Sequence, residues 1–216
     1  ADRMGSLTEA QEKMINNHLI ARGVKDERVL AAFKNVPRTE FVPDKLKSNA
    51  YADRPLPIGA GQTISQPYIV AQMVEALNPT AEDKVLEVGI GSGYAGAILA
   101  EIVGQVYGIE KEETLVNQTE KRLTDLAYEN ITLTVGDGTT GWQQHAPYDA
   151  ILVSAAAPEI PNSLLAQLAI GGYLVLPVGT KNIQELYQVH KLRSGSVEKK
   201  KLNKVRFVPL IGTEGW

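Results

Sequence analysis

The chain has 216 residues, of which 44% are hydrophobic, and its 22 basic and 25 acidic residues give a formal net charge of −3. This length suffices for one α/β domain with a full core and is short for two independent ones. The charge balance predicts no nucleic-acid footprint, and the absence of cysteine from the sequence excludes a disulfide scaffold, thiolate catalysis and cysteine-ligated metals.

No apolar stretch approaches the roughly 20 residues that a membrane helix needs, and residues 1–5 show no apolar core of a signal peptide. The lack of cysteine suits a reducing compartment. We therefore expect a cytoplasmic protein that does not contact a membrane. The run of three lysines at residues 199–201 is interpreted as a solvated turn.

Residues 1–80 are predicted to form an N-terminal helical extension together with a substrate-side segment. One apolar stripe with helical spacing lies within residues 14–20 and stops at Gly23, and a second lies within residues 29–33. The sequence RPLPIGAG at residues 54–61 is too rich in proline and glycine for regular structure. It is predicted to be a loop at the rim of a substrate or cofactor site.

A helix is predicted directly after this loop. Pro67 suits a first helical turn, and an apolar stripe follows it as far as Leu77. From its position alone, Ser65 is interpreted as the N-cap of this helix.

Residues 81–216 are predicted to form the core of the protein, in one compact domain with the extension. Short apolar runs alternate with helix-like stretches, which predicts βαβ crossovers and a Rossmann-like, doubly wound, mostly parallel α/β sheet. After Gly179 the pattern turns extended over residues 185–192 and 205–210, as in an antiparallel hairpin at the sheet edge. The predicted strands are residues 85–88, 106–109, 131–135, 150–153 and 173–176, and the predicted helices are residues 94–103 and 112–127.

The strongest local motif is VLEVGIGSGY at residues 85–94. A strand that ends in the alternating glycines Gly89, Gly91 and Gly93 and opens into a helix brings backbone N–H groups close to a ligand. Gly91, Gly93 and Gly96 also satisfy a G-x-G-x-x-G pattern, and Glu110 ends the next strand, where dinucleotide folds bind ribose hydroxyls. Taken alone, the motif leaves NAD and S-adenosylmethionine nearly even as cofactors.

Two acidic residues shift this balance toward S-adenosylmethionine. Glu87 lies inside the strand end, where it would repel a pyrophosphate but suits a ligand with a cationic ammonium and sulfonium. Asp137 lies between glycines at the end of the third strand and is predicted to accept a hydrogen bond from the adenine amino group, while Gly138 leaves room for the ring. A plain Asp-Gly turn is the structural alternative for this segment.

Six segments in the same order make the chain resemble the protein-L-isoaspartate O-methyltransferases, from about residue 25 to the C-terminus. The most specific is QTISQPYIVA at residues 62–71, which is similar to the substrate-side signature of the family in its bacterial form. The other segments are EVGIGSGY at 87–94, VGDG at 135–138, YDAI at 148–151 with AAAP at 155–158, LPVG at 176–179 and VRFVPL at 205–210.

The resemblance implies a seven-stranded sheet whose last strands form the antiparallel hairpin. It also implies methyl transfer from S-adenosylmethionine, without a metal ion, to the free α-carboxylate of L-isoaspartyl residues, with S-adenosyl-L-homocysteine as the other product. The methyl ester then closes to a succinimide that partly reopens as normal aspartate. The expected partners are therefore isoaspartyl-containing proteins and peptides, and the expected role is protein repair.

The resemblance also implies roles for single residues. Ser65 matches the active-site serine and is expected to orient the substrate carboxylate, while Val208 and Leu210 are expected to flank the main chain of the substrate. A strand in the core is the simpler interpretation of these last two. Together with the residues argued above, the expected cofactor contacts are Thr63, Ile64, Glu87, Gly89, Gly91, Gly93, Glu110, Asp137, Gly138 and Gln184.

The chain departs from the family pattern at residues 65–68, which read SQPY where the animal members have Ser-Ala-Pro-His. Tyr68 therefore replaces the histidine of those members, and no histidine contact is carried over. The three histidines lie outside the matched segments and are interpreted as surface or hairpin residues. The acceptor carboxylate is already ionised at neutral pH and needs no general base. Two alternatives stay open: an NAD-dependent oxidoreductase on the same kind of sheet, and a catalytically silent module that binds S-adenosylmethionine.

Overall fold

A computed structural model describes residues 8–216, so residues 1–5, for which we expected no signal peptide, lie outside the described part. The N-terminal part is helical, as predicted. Thr8 caps the first helix by accepting a hydrogen bond from the backbone N–H of Gln11, and the helical run ends at Gly23 with φ of 97°. Its pieces are α1 (Glu9–Lys13), a π-helical stretch (Met14–Leu19), a 3-10 turn (Ile20–Arg22), α2 (Glu27–Asn35) and two 3-10 turns (Arg38–Phe41 and Asp44–Asn49).

The expectation of an irregular loop over residues 54–61 is wrong. Strands β1 (Leu56–Gly59) and β2 (Gln62–Ile64) pair antiparallel to form a small separate sheet. Pro57 is tolerated there because a two-stranded sheet consists of edges alone, where a missing N–H donor is harmless. The turn between the strands contains Ala60 at φ of 49°, flanked by two glycines that also have positive φ.

The main sheet has seven strands in the order β5-β4-β3-β6-β7-β8-β9, of which the first five run parallel. This arrangement confirms the predicted fold class. The chain moves outward from β3 to β4 and β5 and then returns to the other side of β3 with β6. The elements are α3 (Pro67–Ala76), β3 (Lys84–Val88), α4 (Tyr94–Ala100), β4 (Gln105–Glu110), α5 (Glu113–Asp125), β5 (Ile131–Val135), β6 (Tyr148–Val153), α6 (Asn162–Gln167), β7 (Leu168–Gly179), β8 (Gln184–Lys191) and β9 (Val197–Val205).

The last two strands are antiparallel, as expected, but the second of them was assigned to the wrong residues. Strand β9 ends at Val205, where the predicted strand begins, and it contains the lysines of residues 199–201. The solvated turn that we expected there is therefore wrong. An edge strand with an exposed face carries lysines without cost, because they discourage pairing with another chain.

Both faces of the main sheet are covered by buried apolar side chains. Along β3, Val85 belongs to one cluster and Leu86 and Val88 belong to the other, because successive residues of a strand point to opposite faces. The first cluster extends from Met14 in the helical extension to Val205 in β9, so the extension packs on the sheet that carries the glycine motif. The domain division between residues 80 and 81 stays a prediction.

Candidate active site

A cavity of about 200 Å³ opens at the carboxyl ends of β3, β4 and β6. The strand order reverses beside β3, and such a reversal leaves a crevice in which doubly wound proteins bind ligands. We call this cavity the glycine cleft. Its lining comprises Gln62, Thr63, Ile64, Ser65, Val70, Met73, Glu87, Val88, Gly89, Ile90, Gly91, Ser92, Tyr94, Ala95, Ile109, Glu110, Lys111, Glu112, Gly138, Leu152, Ser154, Ala155, Pro209, Leu210 and Ile211.

The three motif glycines have different surroundings. Gly89 and Gly91 line the cleft with φ of 78° and 52°, values that side-chain-bearing residues rarely adopt. Gly93 also has a positive φ, but a Cβ atom there would lie 2.7 Å from Thr119 of α5. Without side chains, Gly89 and Gly91 therefore leave space in the cleft, and their N–H groups donate to the Ile109 carbonyl and to Glu110. Gly93 instead permits α4 and α5 to pack closely.

Glu87 is a buried carboxyl group beside the cleft, with 1% of its surface exposed. Its Oε2 atom has no hydrogen-bond partner within residues 8–216. Burial, together with the nearby Glu110 carboxylate, holds the pKa of Glu87 well above its usual range. A Cβ atom at Gly96 would lie 2.8 Å from this oxygen, so the glycine provides the space that the carboxyl group fills.

Glu110 ends β4 and holds the glycine loop against that strand. Its Oε2 accepts a hydrogen bond from the backbone N–H of Gly91 at 3.1 Å. Its Oε1 accepts from the N–H groups of Lys111 at 2.8 Å and Glu112 at 3.2 Å. Two acidic side chains, Glu87 and Glu110, thus line one cleft. The charge of Glu110 disfavours a pyrophosphate, and a bound cationic group would favour the ionised form of Glu87, so the cleft suits a ligand with a cationic group and hydroxyls.

Gly138 lines the cleft, whereas the carboxylate of Asp137 is bonded within its own turn and to the C-terminal segment. Asp137 Oδ1 accepts from the Thr139 N–H at 2.9 Å and from its hydroxyl at 2.6 Å, and Oδ2 accepts from the Thr213 N–H at 2.8 Å. Burial raises the pKa of Asp137, but these hydrogen bonds outweigh it and leave the pKa below its usual value. These contacts are those of a structural turn, and the adenine contact of Asp137 stays a prediction.

The backbone between β2 and α3 forms the opposite wall of the cleft, where Thr63, Ile64 and Ser65 lie. Ser65 was interpreted from its position as the N-cap of α3, and this interpretation is wrong. The N-cap is Gln66, which makes no side-chain capping hydrogen bond. The hydroxyl of Ser65 is half-buried and makes no hydrogen bond to any residue of the described chain, so it is available to a ligand.

Asp53, which we did not predict as a functional residue, occupies the helix N-terminus. Its Oδ1 accepts from the backbone N–H of Tyr68 at 3.1 Å, and its Oδ2 accepts from Gln66 at 2.9 Å and from Arg22 at 2.8 Å. The Arg22 guanidinium also lies 3.6 Å from the centroid of the Tyr68 ring. Tyr68 lines neither cavity described here, and its contacts are those of a structural residue.

Arg38 supports the Ser65 segment from inside the protein. Its side chain has no exposed surface, and burial lowers its pKa. Its Nη2 donates to the backbone carbonyl of Ser65 at 2.9 Å, and its Nε donates to the carbonyl of Ala50 at 2.6 Å. Its guanidinium carbon lies 4.8 Å from the ring centroid of Tyr94, the first residue of α4. Arg38 therefore connects the Ser65 backbone with the helix that follows the glycine loop.

A second cavity of about 480 Å³, which we call the outer cavity, adjoins the glycine cleft. Thr63 and Ser65 belong to the lining of both cavities. The outer cavity is lined by Pro55, Thr63, Ser65, Gln66, Ile69, Asn182, Ile183, Lys204, Val205, Arg206 and Phe207.

The remaining predicted contacts are divided between the cleft and its surroundings. Leu210 lines the glycine cleft, and its N–H donates to the carbonyl of Ala156. Val208 accepts from the N–H of Ala156 but lines neither cavity. Gln184 is 2% exposed and outside both linings. Its amide donates to the Thr180 carbonyl at 2.6 Å and accepts from the Phe207 N–H at 2.8 Å.

Several residues of the cleft carried no sequence prediction. Ser154 and Ala155 follow β6 and face Gly89. A Cβ atom added at Gly89 would lie 3.8 Å from the carbonyl carbon of Ser154. The rule that ligands bind where strand order reverses points to the end of β6 once the topology is known. Lys111 and Glu112 adjoin Glu110 in sequence and were missed for lack of a motif.

Two further findings concern metal ions and membranes. Within residues 8–216, no three histidine, aspartate or glutamate side chains are grouped closely enough to hold a metal ion. None of the helices in this range is both long and apolar enough to cross a membrane.

The sequence matches a known protein family over most of its length. The model of the family described as Protein-L-isoaspartate(D-aspartate) O-methyltransferase (PCMT) matches residues 9–215. A protein-L-isoaspartate O-methyltransferase from Picosynechococcus sp. is 54% identical, over 94% of this chain and 90% of its own. Protein-L-isoaspartate O-methyltransferase 2 from Pelobacter propionicus is 51% identical, over 95% of this chain and 92% of its own.

Solved structures give the same result. A protein-L-isoaspartate O-methyltransferase structure superposes with a TM-score of 0.85 at 28% identity, over 95% of this chain and 67% of that one. A beta-aspartate methyltransferase (PCMT) from Plasmodium falciparum, in complex with S-adenosyl-L-homocysteine, superposes with a TM-score of 0.79 at 26% identity. That match covers 93% of this chain and 98% of the other.

Proposed function

The chain belongs to the protein-L-isoaspartate(D-aspartate) O-methyltransferase family, and on this basis we propose that it methylates the free α-carboxylate of L-isoaspartyl residues in damaged proteins and peptides, using S-adenosylmethionine. The observation that carries the proposal is that Thr63 and Ser65 line both the glycine cleft and the outer cavity, so a cofactor and a peptide would meet there. The comparisons support neither an NAD-dependent oxidoreductase nor a silent binding module.

The glycine cleft fits S-adenosylmethionine, which supplies an electrophilic methyl group on a sulfonium when bound and leaves as S-adenosyl-L-homocysteine. We assign the buried oxygen of Glu87 that lacks a partner within residues 8–216 to the cationic end of the cofactor. We assign Glu110 to its ribose hydroxyls. Gly89 and Gly91 leave the space along which the cofactor would lie, with Gly93 shaping the loop. Further proposed contacts are Thr63, Ile64, Asp137, Gly138 and Gln184.

The outer cavity is assigned to the isoaspartyl peptide, with Ser65 at its inner end. The hydroxyl of Ser65 makes no hydrogen bond within residues 8–216, so it is free to donate one to the acceptor carboxylate and orient it. We keep Val208 and Leu210 as flanking residues of the substrate main chain. Supporting Leu210 is its place in the cleft lining.

The chain contributes position rather than proton transfer. The α-carboxylate has an unperturbed pKa near ~3.5, so it is ionised at neutral pH and its oxygen already holds the electron pair that forms the new O–C bond. A general base would have no proton to remove. Holding two reactants in attack geometry lowers a barrier by about 7–11 kcal/mol. We assign this task to Ser65 and the walls of the two cavities.

The biological role that follows is repair. The methyl ester is more easily displaced than a free carboxylate: the following backbone N–H adds to the ester carbonyl, methanol leaves, and a succinimide forms. Water then opens the succinimide, in part to normal aspartate. We place this reaction in the cytoplasm, because a chain without cysteine suits a reducing compartment.

The deciding experiment is transfer of labelled methyl from S-adenosylmethionine to two peptides that differ only in isoaspartate versus aspartate. We expect labelling of the isoaspartyl peptide alone. Equal labelling of both peptides, or of neither, would overturn the proposal. As a separate check on the cofactor, S-adenosylmethionine should raise the melting temperature and NAD should not, because only a ligand of the native state stabilises it.

A further inference from the structure

One wall of the outer cavity carries positive charge. Lys204, near the end of β9, and Arg206, just after that strand, both line the cavity and are exposed. Neither side chain makes a hydrogen bond or an ion pair within residues 8–216. We call these two residues the basic rim.

The acidic residues near the basic rim do not neutralise it. The lining of the outer cavity, as far as the chain is described, contains no aspartate or glutamate. Asp53, which bonds to the lining residue Gln66, already accepts hydrogen bonds from Arg22, Gln66 and Tyr68. Glu185 is the Cα partner of Lys204 across the β8–β9 ladder, but no ion pair joins the two within the described residues. The rim therefore presents free positive charge in a chain whose net charge is −3.

We propose that the basic rim selects isoaspartyl substrates with acidic residues next to the isoaspartate. This inference rests on the proposed function, and it concerns the flanking sequence rather than the reaction. Ser65 marks the inner end of the cavity, where the reacting carboxylate belongs, and the rim residues lie in the wall that the adjoining residues of a bound peptide would pass. A guanidinium binds a carboxylate with two parallel hydrogen bonds, and opposite charges across an interface speed association and improve discrimination.

The test uses three synthetic isoaspartyl peptides that differ only in the flanking residues, which are glutamate, glutamine or lysine. The wild-type enzyme should show kcat/KM in the order glutamate, glutamine, lysine, with about a three- to tenfold step between the first two. Raising the salt concentration should shrink the steps, because mobile ions screen exposed charges. Equal kcat/KM for all three peptides would overturn the inference.

The variant Lys204→Ser/Arg206→Ser should bring the ratio of kcat/KM for the glutamate and glutamine peptides close to one. The matched control is Lys199→Ser/Lys200→Ser, which removes the same charge from the same strand outside the cavity lining. Lys200 lies four positions before Lys204 along the strand, or roughly 13 Å away, which exceeds the screening length of about 8 Å at physiological salt. The control should keep the wild-type ratio of kcat/KM. An equal loss of this ratio in the control would show a general charge effect and would refute the proposed role of the basic rim.

Binding of the same labelled peptides, measured by fluorescence anisotropy with S-adenosyl-L-homocysteine present, tests the rim without turnover. The rim predicts the same order of affinities and the same loss in the double variant. If the glutamine peptide is not methylated, the proposed function fails, while the order of affinities still decides the rim. If the glutamine peptide is methylated but flanking glutamates improve neither binding nor kcat/KM, only the proposal about the basic rim fails.

Discussion

The two cavities that meet at Ser65 differ in charge and in the way the chain builds them. The glycine cleft contains two carboxyl groups, Glu87 and Glu110, held at the ends of adjacent strands. The outer cavity contains two cations, Lys204 and Arg206, with no described acidic residue in its lining. A cationic cofactor and an anionic acceptor would thus be directed to opposite sides of one serine.

The two cavities also differ in how far apart their residues lie in the sequence. The motif side of the cleft comes from one strand, one turn and the start of one helix within residues 87–95. The outer cavity joins residues 55–69 with residues 182–183 and 204–207. A short motif is therefore enough to indicate the first cavity, while the second exists only when distant segments have folded together.

The largest expected effect is at Ser65, where the two cavities meet. Ser65→Ala should lower kcat/KM for an isoaspartyl peptide by about ten- to a thousandfold, or roughly 1.4–4 kcal/mol of transition-state stabilisation, because the carboxylate loses an orienting donor. Cofactor affinity and folding stability should hardly change, since Gln66 rather than Ser65 caps α3. Ser196→Ala, in the exposed β8–β9 turn, is the control, and wild-type turnover in Ser65→Ala would remove the serine from the active site.

A substitution at Glu110 should weaken cofactor binding without changing the outer cavity. Glu110→Ala should weaken binding of S-adenosylmethionine by about 1.5–3 kcal/mol, the contribution of hydrogen bonds to a charged group. Calorimetry measures this, with Glu113→Ala in the exposed first turn of α5 as the matched control. Affinity equal to wild type would mean that Glu110 serves only to hold the Gly91, Lys111 and Glu112 backbone.

Asp137 separates a ligand role from a structural one. Asp137→Ala should reduce the free energy of unfolding by about 1–2 kcal/mol, because the Thr139 and Thr213 N–H groups lose their acceptor. If the adenine contact also exists, calorimetry should show weaker cofactor binding, by less than at Glu110. Asp44→Ala, an exposed acidic site, is the control for loss of charge. A lower stability with unchanged cofactor affinity would show that Asp137 only stabilises its turn and does not contact the cofactor.

The contribution of Asp137 to the stability of the folded protein should fall as the pH is lowered. Its pKa is lowered in the folded protein, so its contribution to stability is complete above the unfolded value near ~3.9 and is lost as the pH falls through the folded value. Urea unfolding between pH 6 and pH 2.5 should therefore show a smaller loss of stability in Asp137→Asn than in the wild type. Parallel curves for the two proteins would contradict the lowered pKa.

The smallest effect is expected at Tyr68. Tyr68→Phe should keep kcat/KM within about twofold, because the ring that packs on Arg22 remains and the residue lines neither cavity. Steady-state kinetics with the isoaspartyl peptide measures this. A loss comparable to that of Ser65→Ala would place the Tyr68 hydroxyl in the active site.

Regular patterns along the chain predicted most of the fold. The five parallel strands were recognised from their apolar runs, which are mostly buried in β3, β4, β6 and β7 but not in the edge strand β5. The crossover helices were recognised because they separate those runs. The patterns were wrong at residues 54–61 and 199–201, where a small proline-containing sheet and a lysine-rich edge strand have no apolar alternation. Such strands owe their pairing to their neighbours rather than to their composition.

The sequence by itself determined the family, because six short segments in the same order each match over consecutive residues. It also determined the strand ends that face the glycine cleft, because the glycine motif acts through local backbone geometry, while the acidic residues beside the motif and the resemblance together indicated the type of cofactor. Only the tertiary structure decided what surrounds Ser65. Arg38 reaches its carbonyl from 27 positions away, and Asp53 occupies the helix end that Ser65 was expected to cap. The physical reason is that secondary structure follows local periodicity, whereas a buried hydrogen bond or a shared cavity wall requires side chains that are adjacent only in the folded chain.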